Sequence, residues 1–538
     1  MPQNKYGKRM LLTILKYGFS LLLTLLTFQT TGSVKYLFFG LIELMVIALL
    51  SDLFVAKKRL PGLFINDLFL LIYNIQMAVL FFGNSYIVSV MLSNLDSLAD
   101  LSGKVWSYGL ACVLVLLFSL LPIQSFSGNG GNFALKALSV CLAAELFAAM
   151  LYGNMFSPMF AVYDLGAQQY ARFRMRNSIS SEEDFTKDFL RGIGDYRPKS
   201  EGLVEQPNII LIFTEGLSQN IISDERNIMP NVADLQGNSL NFTGYYNHTF
   251  ATYRGLIGQL YSGYQLNNLD GNTLVSLQEI LGGLQYRTAF INTEPFNTQF
   301  TDYLDKLGFD EIVGTVDTPH SGITNSLSDK EAFELLFDTA TQKLDEKRPF
   351  FLTIYTFGTH ASFDSNDEIY GDGSDRLLNK FYNLDCQFGK FIEKFNASSL
   401  SDDTIIVFTA DHATYADNDY TSAFPDVTRD HTMVDQIPLS IYYKGISPET
   451  IDVEGRNSLD LAPTLLDYLD ISAQNYFLGE SLFIQKQNNN TFDTVFEVEG
   501  TYLDTDGKNI SELSDVKREI VETQIRKYYI AKTQEPTG

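Results

Sequence analysis

The run Asn208–Ser218, NIILIFTEGLS, decides the fold. An apolar stretch of this length, closed by Thr214-Glu215-Gly216, reads as a strand buried on both faces. Four further runs share the pattern: Arg287–Asn292 (RTAFIN), Pro349–Thr356 (PFFLTIYT), Thr404–Thr409 (TIIVFT) and Ile437–Tyr443 (IPLSIYY). Segments 274–285, 328–345 and 376–396 read as the helices between them. The alternation predicts an α/β domain, with a mainly parallel central sheet and helices on both faces. Sites in such sheets form beyond the carboxyl ends of the strands. The residues leaving the runs are Glu215, then Phe357-Gly358-Thr359-His360, then Asp411-His412. One acid after a strand is ordinarily a helix cap. Three exits in one sheet, each with a metal ligand or proton carrier, point instead to chemistry. The chain has only five histidines (His248, His320, His360, His412, His431), and two of them sit at these exits.

The region before this sheet belongs to another solvent. Residues 10–29 (MLLTILKYGFSLLLTLLTFQ) are long and apolar enough to cross about 30 Å of hydrocarbon as a helix. Similar stretches occupy 36–55, 62–82, 105–124 and 134–153, so residues 1–160 read as a bundle of five transmembrane helices. Repetition excludes a signal peptide. Charges gather between the runs and not on one helical face, which excludes soluble core helices. Lys5, Lys8 and Arg9 precede the first span, and Lys57, Lys58 and Arg59 separate the second from the third. The positive-inside rule makes both clusters cytoplasmic and exports everything after the fifth span.

Charge divides the same way. Residues 1–160 hold ten Lys/Arg against six Asp/Glu, while the whole 538-residue chain carries a net charge of −25. The exported part is therefore strongly acidic, which excludes a nucleic-acid partner needing a basic face. Three cysteines, two of them in the apolar runs, leave no disulfide framework and no Cys-rich zinc site. This usage fits a bacterial inner-membrane protein with an extracytoplasmic domain. The expected organisation is a membrane part (1–160), a linker (161–205), a catalytic domain (206–500) and a C-terminal extension (501–538). Within the linker, SISSEED at 178–184 reads as a helix start, and Arg172, Arg174 and Arg176 could meet anionic headgroups. The extension reads as a strand and an amphipathic helix at 514–529 that serve packing.

Several motifs occur in one order: NIILIFTEGLS; Met229-Pro230-Asn231 before Val232–Leu235; His248–Gly255 (HTFATYRG); Thr404–His412 (TIIVFTADH); Asp435–Leu439 (DQIPL); Ser458–Leu466 (SLDLAPTLL); and Leu478–Leu482 (LGESL). Through them, 206–485 resembles the sulfatase/alkaline-phosphatase superfamily. Within it, the likeness is to membrane-anchored lipoteichoic acid synthase-type phosphoglycerol transferases and related phosphoethanolamine transferases. The resemblance implies a phosphoryl transfer through a phospho-threonine on Thr252, with Thr249 as the nearby competitor. It implies one divalent ion held by Glu215, Thr252, Asp411 and His412. Three oxygens and one nitrogen suit Mn²⁺, with Zn²⁺ as the alternative. A hydroxyl near such an ion has its pKa lowered and becomes a usable nucleophile. Arg254 would steady a phosphate oxygen. His360 and His431 would transfer protons and contact the phosphate. The implied donor is a membrane phospholipid, and the acceptor a hydroxyl of an envelope glycan or glycolipid.

The chain departs from the lipoteichoic acid synthase pattern at one place. Where those enzymes carry a His-containing segment and a Trp-Asn-Arg triplet, Phe290–Gly308 has no His, Trp or Arg, and offers Glu294, Asn297 and Gln299. Ser328-Asp329-Lys330 matches a family helix start and reads as structural. Three rivals stand beside the transferase. A sulfatase would need a Cys or Ser in a C/S-x-P-x-R setting, and Thr252 has no such surroundings. A phosphodiesterase would use water in place of the acceptor. An inactive scaffold would need no metal.

Overall fold

A computed structural model gives the fold of residues 2–88, 91–92, 105–125, 131–177, 184–194, 196–198, 200, 202–266, 271–314, 326–360, 364–365, 367–484, 492–498 and 500–533. The chain forms two compact units. One is Met1–Tyr170 with Ala416–Phe424, and the other is Ala171–Tyr415 with Pro425–Gly538.

The first unit is built on helices α1 (Pro2–Thr31), α2 (Val34–Lys57), α3 (Arg59–Gly83), α4 (Val105–Ser119) and α5 (Gly131–Tyr152), followed by α6 (Pro158–Asn177). Among the described residues, α1, α2, α3 and α5 contain stretches long and apolar enough to cross a membrane, and α4 is shorter. The fourth expected span, 105–124, is occupied by α4, which ends at Ser119. Pro122 explains the stop, because a proline disfavours helix for the residue before it and cannot donate its own N–H. The one cation inside the first span, Lys16, is fully buried. It pairs with Asp67 of α3 and donates to the Leu121 carbonyl at 2.8 Å, so its charge is met inside the bundle.

The second unit holds an eight-stranded sheet: β1 (Asn208–Thr214), β2 (Leu240–Thr243), β3 (Arg287–Ile291), β4 (Glu311–Val313), β5 (Phe350–Thr356), β6 (Thr404–Ala410), β7 (Leu439–Tyr442) and β8 (Glu449–Asp452). Their order is β4-β3-β5-β1-β6-β7-β2-β8. The first five in that order run parallel, and β7 lies antiparallel to both neighbours. All five expected strands are present. Every residue of β1, β5 and β6 is buried, as the unbroken apolar runs required.

Register fixes what happens at the strand ends. Thr214 pairs with Thr356 on one side and with Ala410 on the other. The chain therefore leaves β1, β5 and β6 at one level, carrying Glu215, Phe357 and Asp411 out together. Helix α7 (Pro230–Gly237) starts on Pro230, and Asp385 accepts its Asn231 and Val232 N–H groups at 3.1 and 2.8 Å. Helix α8 (Thr252–Tyr261) crosses the exit of β6. It can do so because residue 255 is glycine: a Cβ there would stand 2.3 Å from the Asp411 carbonyl oxygen. Helices α9 (Leu277–Gly283), α10 (Thr298–Leu304), α11 (Asp329–Asp345) and α12 (Arg376–Asn396) complete the layers. Asp375 caps α12 through the Leu377 and Leu378 N–H groups. Ser328 and Glu331 form a capping box on α11.

Beyond α13 (Leu461–Tyr468), the chain forms an antiparallel sheet of β9 (Val495–Val498), β10 (Thr501–Thr505) and β11 (Ile510–Glu512), then α14 (Asp515–Ala531). The β9–β10 hairpin straddles residue 500, and the tail stays within the second unit. Part of the expected linker is tied down as well, because Arg191–Gly192 pairs antiparallel with Gln474–Asn475. The helix start expected at 178–184 lies, except for Asp184, outside the described residues, and so does His320.

Candidate active site

Three side chains gather where β1 and β6 end. Among the described residues, Glu215, Asp411 and His412 are the one group of acids and imidazoles whose ligand atoms all lie within 4.8 Å of one another. His412 Nε2 is 3.6 Å from Glu215 Oε1 and 3.4 Å from Asp411 Oδ2. Each is held by its own exit loop. Asp411 Oδ1 accepts the Gly216 and His412 N–H groups at 2.9 and 2.7 Å. Its Oδ2 is buried and has no hydrogen-bond donor. His412 Nδ1 donates to the Ala413 carbonyl at 2.8 Å, which leaves the Nε2 lone pair facing the two carboxylates. Glu215 Oε2 accepts from the Tyr355 hydroxyl and, at 3.0 Å, from the Thr252 hydroxyl. The two exits are latched together. Ser218 and Thr414 exchange N–H to Oγ hydrogen bonds, each 3.1 Å, and the Thr414 hydroxyl bonds the Gly216 carbonyl.

The electrostatics ask for positive charge in this pocket. Burial pushes the Asp411 carboxyl well above its ordinary range, against the pull of His412, and Glu215 adds to the rise. Burial alone would lift Glu215 too, but His412, His360 and the Tyr355 and Thr252 hydrogen bonds bring it below the usual carboxylate range. Burial opposes a charged His412, yet Asp411 and Glu215 outweigh it and raise the imidazole. A bare Asp411 oxygen, a free imidazole lone pair and a shared carboxylate form a donor set that fits a divalent cation. Tyr355→Phe removes one donor that orients Glu215. Metal affinity is expected to fall about 10-fold, with the fold intact, as a titration of the purified protein would record.

Thr252 opens helix α8, and the residue before it is strained. Ala251 has φ +81° and ψ 148°, a region that side-chain-bearing residues rarely occupy and that costs on the order of 1–3 kcal/mol. The hydroxyl of the competitor Thr249 is buried and has no hydrogen-bond partner. Phe250 covers the His412 ring at 4.5 Å between centroids.

The other expected site residues are placed unequally. His360 is half-buried, stacks on Phe357 at 5.1 Å, and lies near enough to Glu215 to lower its carboxyl. His431 makes no direct hydrogen bond or ion pair with the Glu215–Asp411–His412 group. Its Nδ1 accepts the Met433 N–H at 3.2 Å, which places the ring proton on Nε2. Burial and the charge of Arg429 push its pKa down to about 4, so it is neutral at physiological pH. Arg429 in turn donates to the Thr414 carbonyl. His248 is wholly buried, bonds Ser458 Oγ at 2.7 Å and is pushed down to about 3 by burial and Arg254, so it is a core residue.

Arg254 is 2% exposed, and its Nη1 lies 3.9 Å from Glu497 Oε2, itself 1% exposed. Glu497 comes from β9, whose backbone bonds the His248 carbonyl at 3.0 Å. Sequence reasoning placed neither Tyr355, inside an apolar run, nor Glu497, in the tail. Removing one member of a buried ion pair costs about 3–5 kcal/mol. Glu497→Gln is therefore expected to lower thermal stability by about that amount while keeping side-chain volume, as chemical denaturation would show.

Comparison with known proteins agrees with this architecture. Residues 207–471 match the Sulfatase family profile. Lipoteichoic acid synthase 2 of Bacillus subtilis is 25% identical over 409 residues, covering 66% of this chain and 60% of that protein. The lipoteichoic acid synthase of Staphylococcus saprophyticus is 24% identical over 389 residues, covering 65% and 58%. The chain thus spans about 60% of the length of these curated relatives. Among solved structures, the integral membrane lipooligosaccharide phosphoethanolamine transferase A of Neisseria meningitidis aligns with TM-score 0.52 and 14% identity, covering 85% of this chain and 95% of that one. An alkaline phosphatase superfamily protein of Vibrio parahaemolyticus aligns with TM-score 0.52 and 19% identity, covering 67% and 94%. The structural likenesses show the fold.

Proposed function

We propose, from the match of residues 207–471 to the Sulfatase family, that the chain is a membrane-anchored, metal-dependent transferase of that superfamily. It would move a phosphoglycerol-type headgroup from a membrane phospholipid to a hydroxyl of an envelope glycan or glycolipid. The observation that carries this reading is the Thr252 hydroxyl, 3.0 Å from Glu215 beside Asp411 and His412. A threonine hydroxyl beside such a donor set supports a metal-activated nucleophile.

Glu215, Asp411, His412 and Thr252 would hold one divalent ion, Mn²⁺ before Zn²⁺. Bound there, the ion would lower the pKa of the Thr252 hydroxyl and neutralise phosphate charge. The residues of the chain do the rest. The Thr252 oxygen attacks phosphorus, and its proton leaves through the hydrogen bond to Glu215. The bond to the diacylglycerol oxygen breaks, and that oxygen takes a proton from His360, while the neutral His431 would contact the phosphate through its Nε2–H. The acceptor hydroxyl then gives its proton to the histidine left basic by the first step and displaces Thr252, whose oxygen regains its proton from Glu215. Arg254 would steady the phosphate from helix α8. The apolar helices would keep the donor at high local concentration by holding the domain in a bacterial inner membrane, on the extracytoplasmic side.

One observation favours a phosphoethanolamine headgroup as the second reading. Glu294, in the segment that departs from the synthase pattern, is 6% exposed. Its charge is felt by Tyr355, the partner of Glu215. A carboxylate so placed suits an ammonium. Incubation of the detergent-solubilised protein with labelled phosphatidylglycerol or phosphatidylethanolamine, followed by intact-mass measurement, tests both. The lipid that leaves its headgroup phosphate on Thr252 is the donor. An adduct that persists at another residue after Thr252→Ala overturns the assignment.

A further inference from the structure

The carboxyl of Asp329 plays no part in the chemistry above, yet it is among the most enclosed in the chain. It opens helix α11 and is 2% exposed. Oδ2 accepts from Asn383 Nδ2 of α12 at 3.1 Å, and the Gly358 backbone also bonds the carboxyl. Oδ1 is buried with no hydrogen-bond partner. Among the described residues, no Lys, Arg or His forms an ion pair with it. The neighbouring charge is Asp367, another carboxylate, and burial followed by that repulsion pushes the Asp329 carboxyl up to about 7 despite its hydrogen bonds.

Asp329 faces a half-open recess of about 20 Å³, room for one water-sized group. Ser326, Ser328, Asp364, Ser365, Asp367 and Asn383 join Asp329 in its wall, beside Leu327, Phe357 and Gly358. The backbone at Gly358 is pressed so closely to Asp329 that a Cβ would stand 2.3 Å from Oδ2. The recess therefore adjoins the exit of β5, the start of α11 and the body of α12. Asp364 Oδ2 is 3.6 Å from Arg376, so part of the wall already has a cation. Asp329 does not.

We propose that this recess is a second cation site, distinct from the Glu215 pocket, in which Asp329 Oδ1 and Asp367 hold one hard divalent ion of the Ca²⁺ class. Oxygen donors of mixed type, without sulfur or imidazole, select such ions, and an irregular, partly solvated set suits Ca²⁺ better than the strict octahedron of Mg²⁺. A water could donate to Oδ1, but it would bring no positive charge to a recess lined by Asp329, Asp364 and Asp367. The ion would clamp the β5 exit to α11 and α12, behind the turn that carries His360.

The test uses the full-length protein in detergent at pH 8, with MnCl₂ present throughout so that the Glu215 pocket is served. CaCl₂ is then titrated, and the melting temperature and bound ⁴⁵Ca are followed. The expected result is a saturable rise in melting temperature with Ca²⁺ that persists in Asp411→Asn and is lost in Asp329→Asn. Should Asp329→Asn fail to fold, Asp367→Asn decides. Residue 367 is exposed, and the Ca²⁺ midpoint should move at least about 10-fold higher. No rise in the wild type, or an equal rise in Asp329→Asn or unchanged midpoint in Asp367→Asn, overturns the proposal and leaves a protonated carboxyl or a buried water. Because the readout is binding and not turnover, it stands or falls separately from the transferase reading.

Discussion

Thr252→Ala is expected to lower headgroup transfer by on the order of 10³–10⁶-fold, the range seen when a covalent nucleophile is deleted, and to abolish the covalent adduct. The argument is local. Thr252 is half-buried at the first turn of α8, so losing its hydroxyl and methyl groups costs little packing. What disappears is the hydroxyl directed at Glu215. Thr252→Ser restores a nucleophile of the same reach and should recover part of the rate. Steady-state transfer assays on wild type and both variants, paired with intact-mass measurement, read the two effects together. Turnover in Thr252→Ala within tenfold of the wild type would sink the mechanism.

Asp411→Asn should remove the metal while leaving the fold. Two backbone N–H groups already point at Oδ1. An amide offers one acceptor oxygen, and those two donors will claim it. The NH₂ group is then forced into the place of Oδ2, where it presents hydrogens to a cation. Metal affinity is expected to fall by more than about 100-fold, with turnover lost in proportion. Elemental analysis after dialysis gives the metal content, and thermal melting checks the fold. Retention of metal by this variant would show that the ion sits elsewhere.

The candidate site was legible where its residues follow long buried runs. NIILIF, PFFLTIYT and TIIVFT can only be inner strands, and Glu215, His360 and Asp411-His412 stand where such strands end. Thr252 needed the order of motifs, since no strand delivers it. Three strands were not legible. Glu311–Val313 is three residues long, Leu240–Thr243 alternates with polar side chains, and Glu449–Asp452 is an edge strand with mostly exposed residues. None contains an apolar run. The α4 stop at Ser119 followed from Pro122, a local rule that the average hydropathy of the window concealed. Tyr355 was hidden because a tyrosine inside a buried run reads as packing until its hydroxyl partner is known. Glu497 was hidden by distance, 243 residues from Arg254 in the chain.

That distance has a consequence for how the chain can vary. The Sulfatase match ends at residue 471, while the acid that balances Arg254 arrives with β9, after it. A graft that exchanged the carboxyl-terminal hairpin between relatives would take the Glu497 carboxylate away from the buried Arg254 unless position 254 travelled with it. The two positions should accordingly be inherited as one unit, and a double replacement should be tolerated better than either half alone.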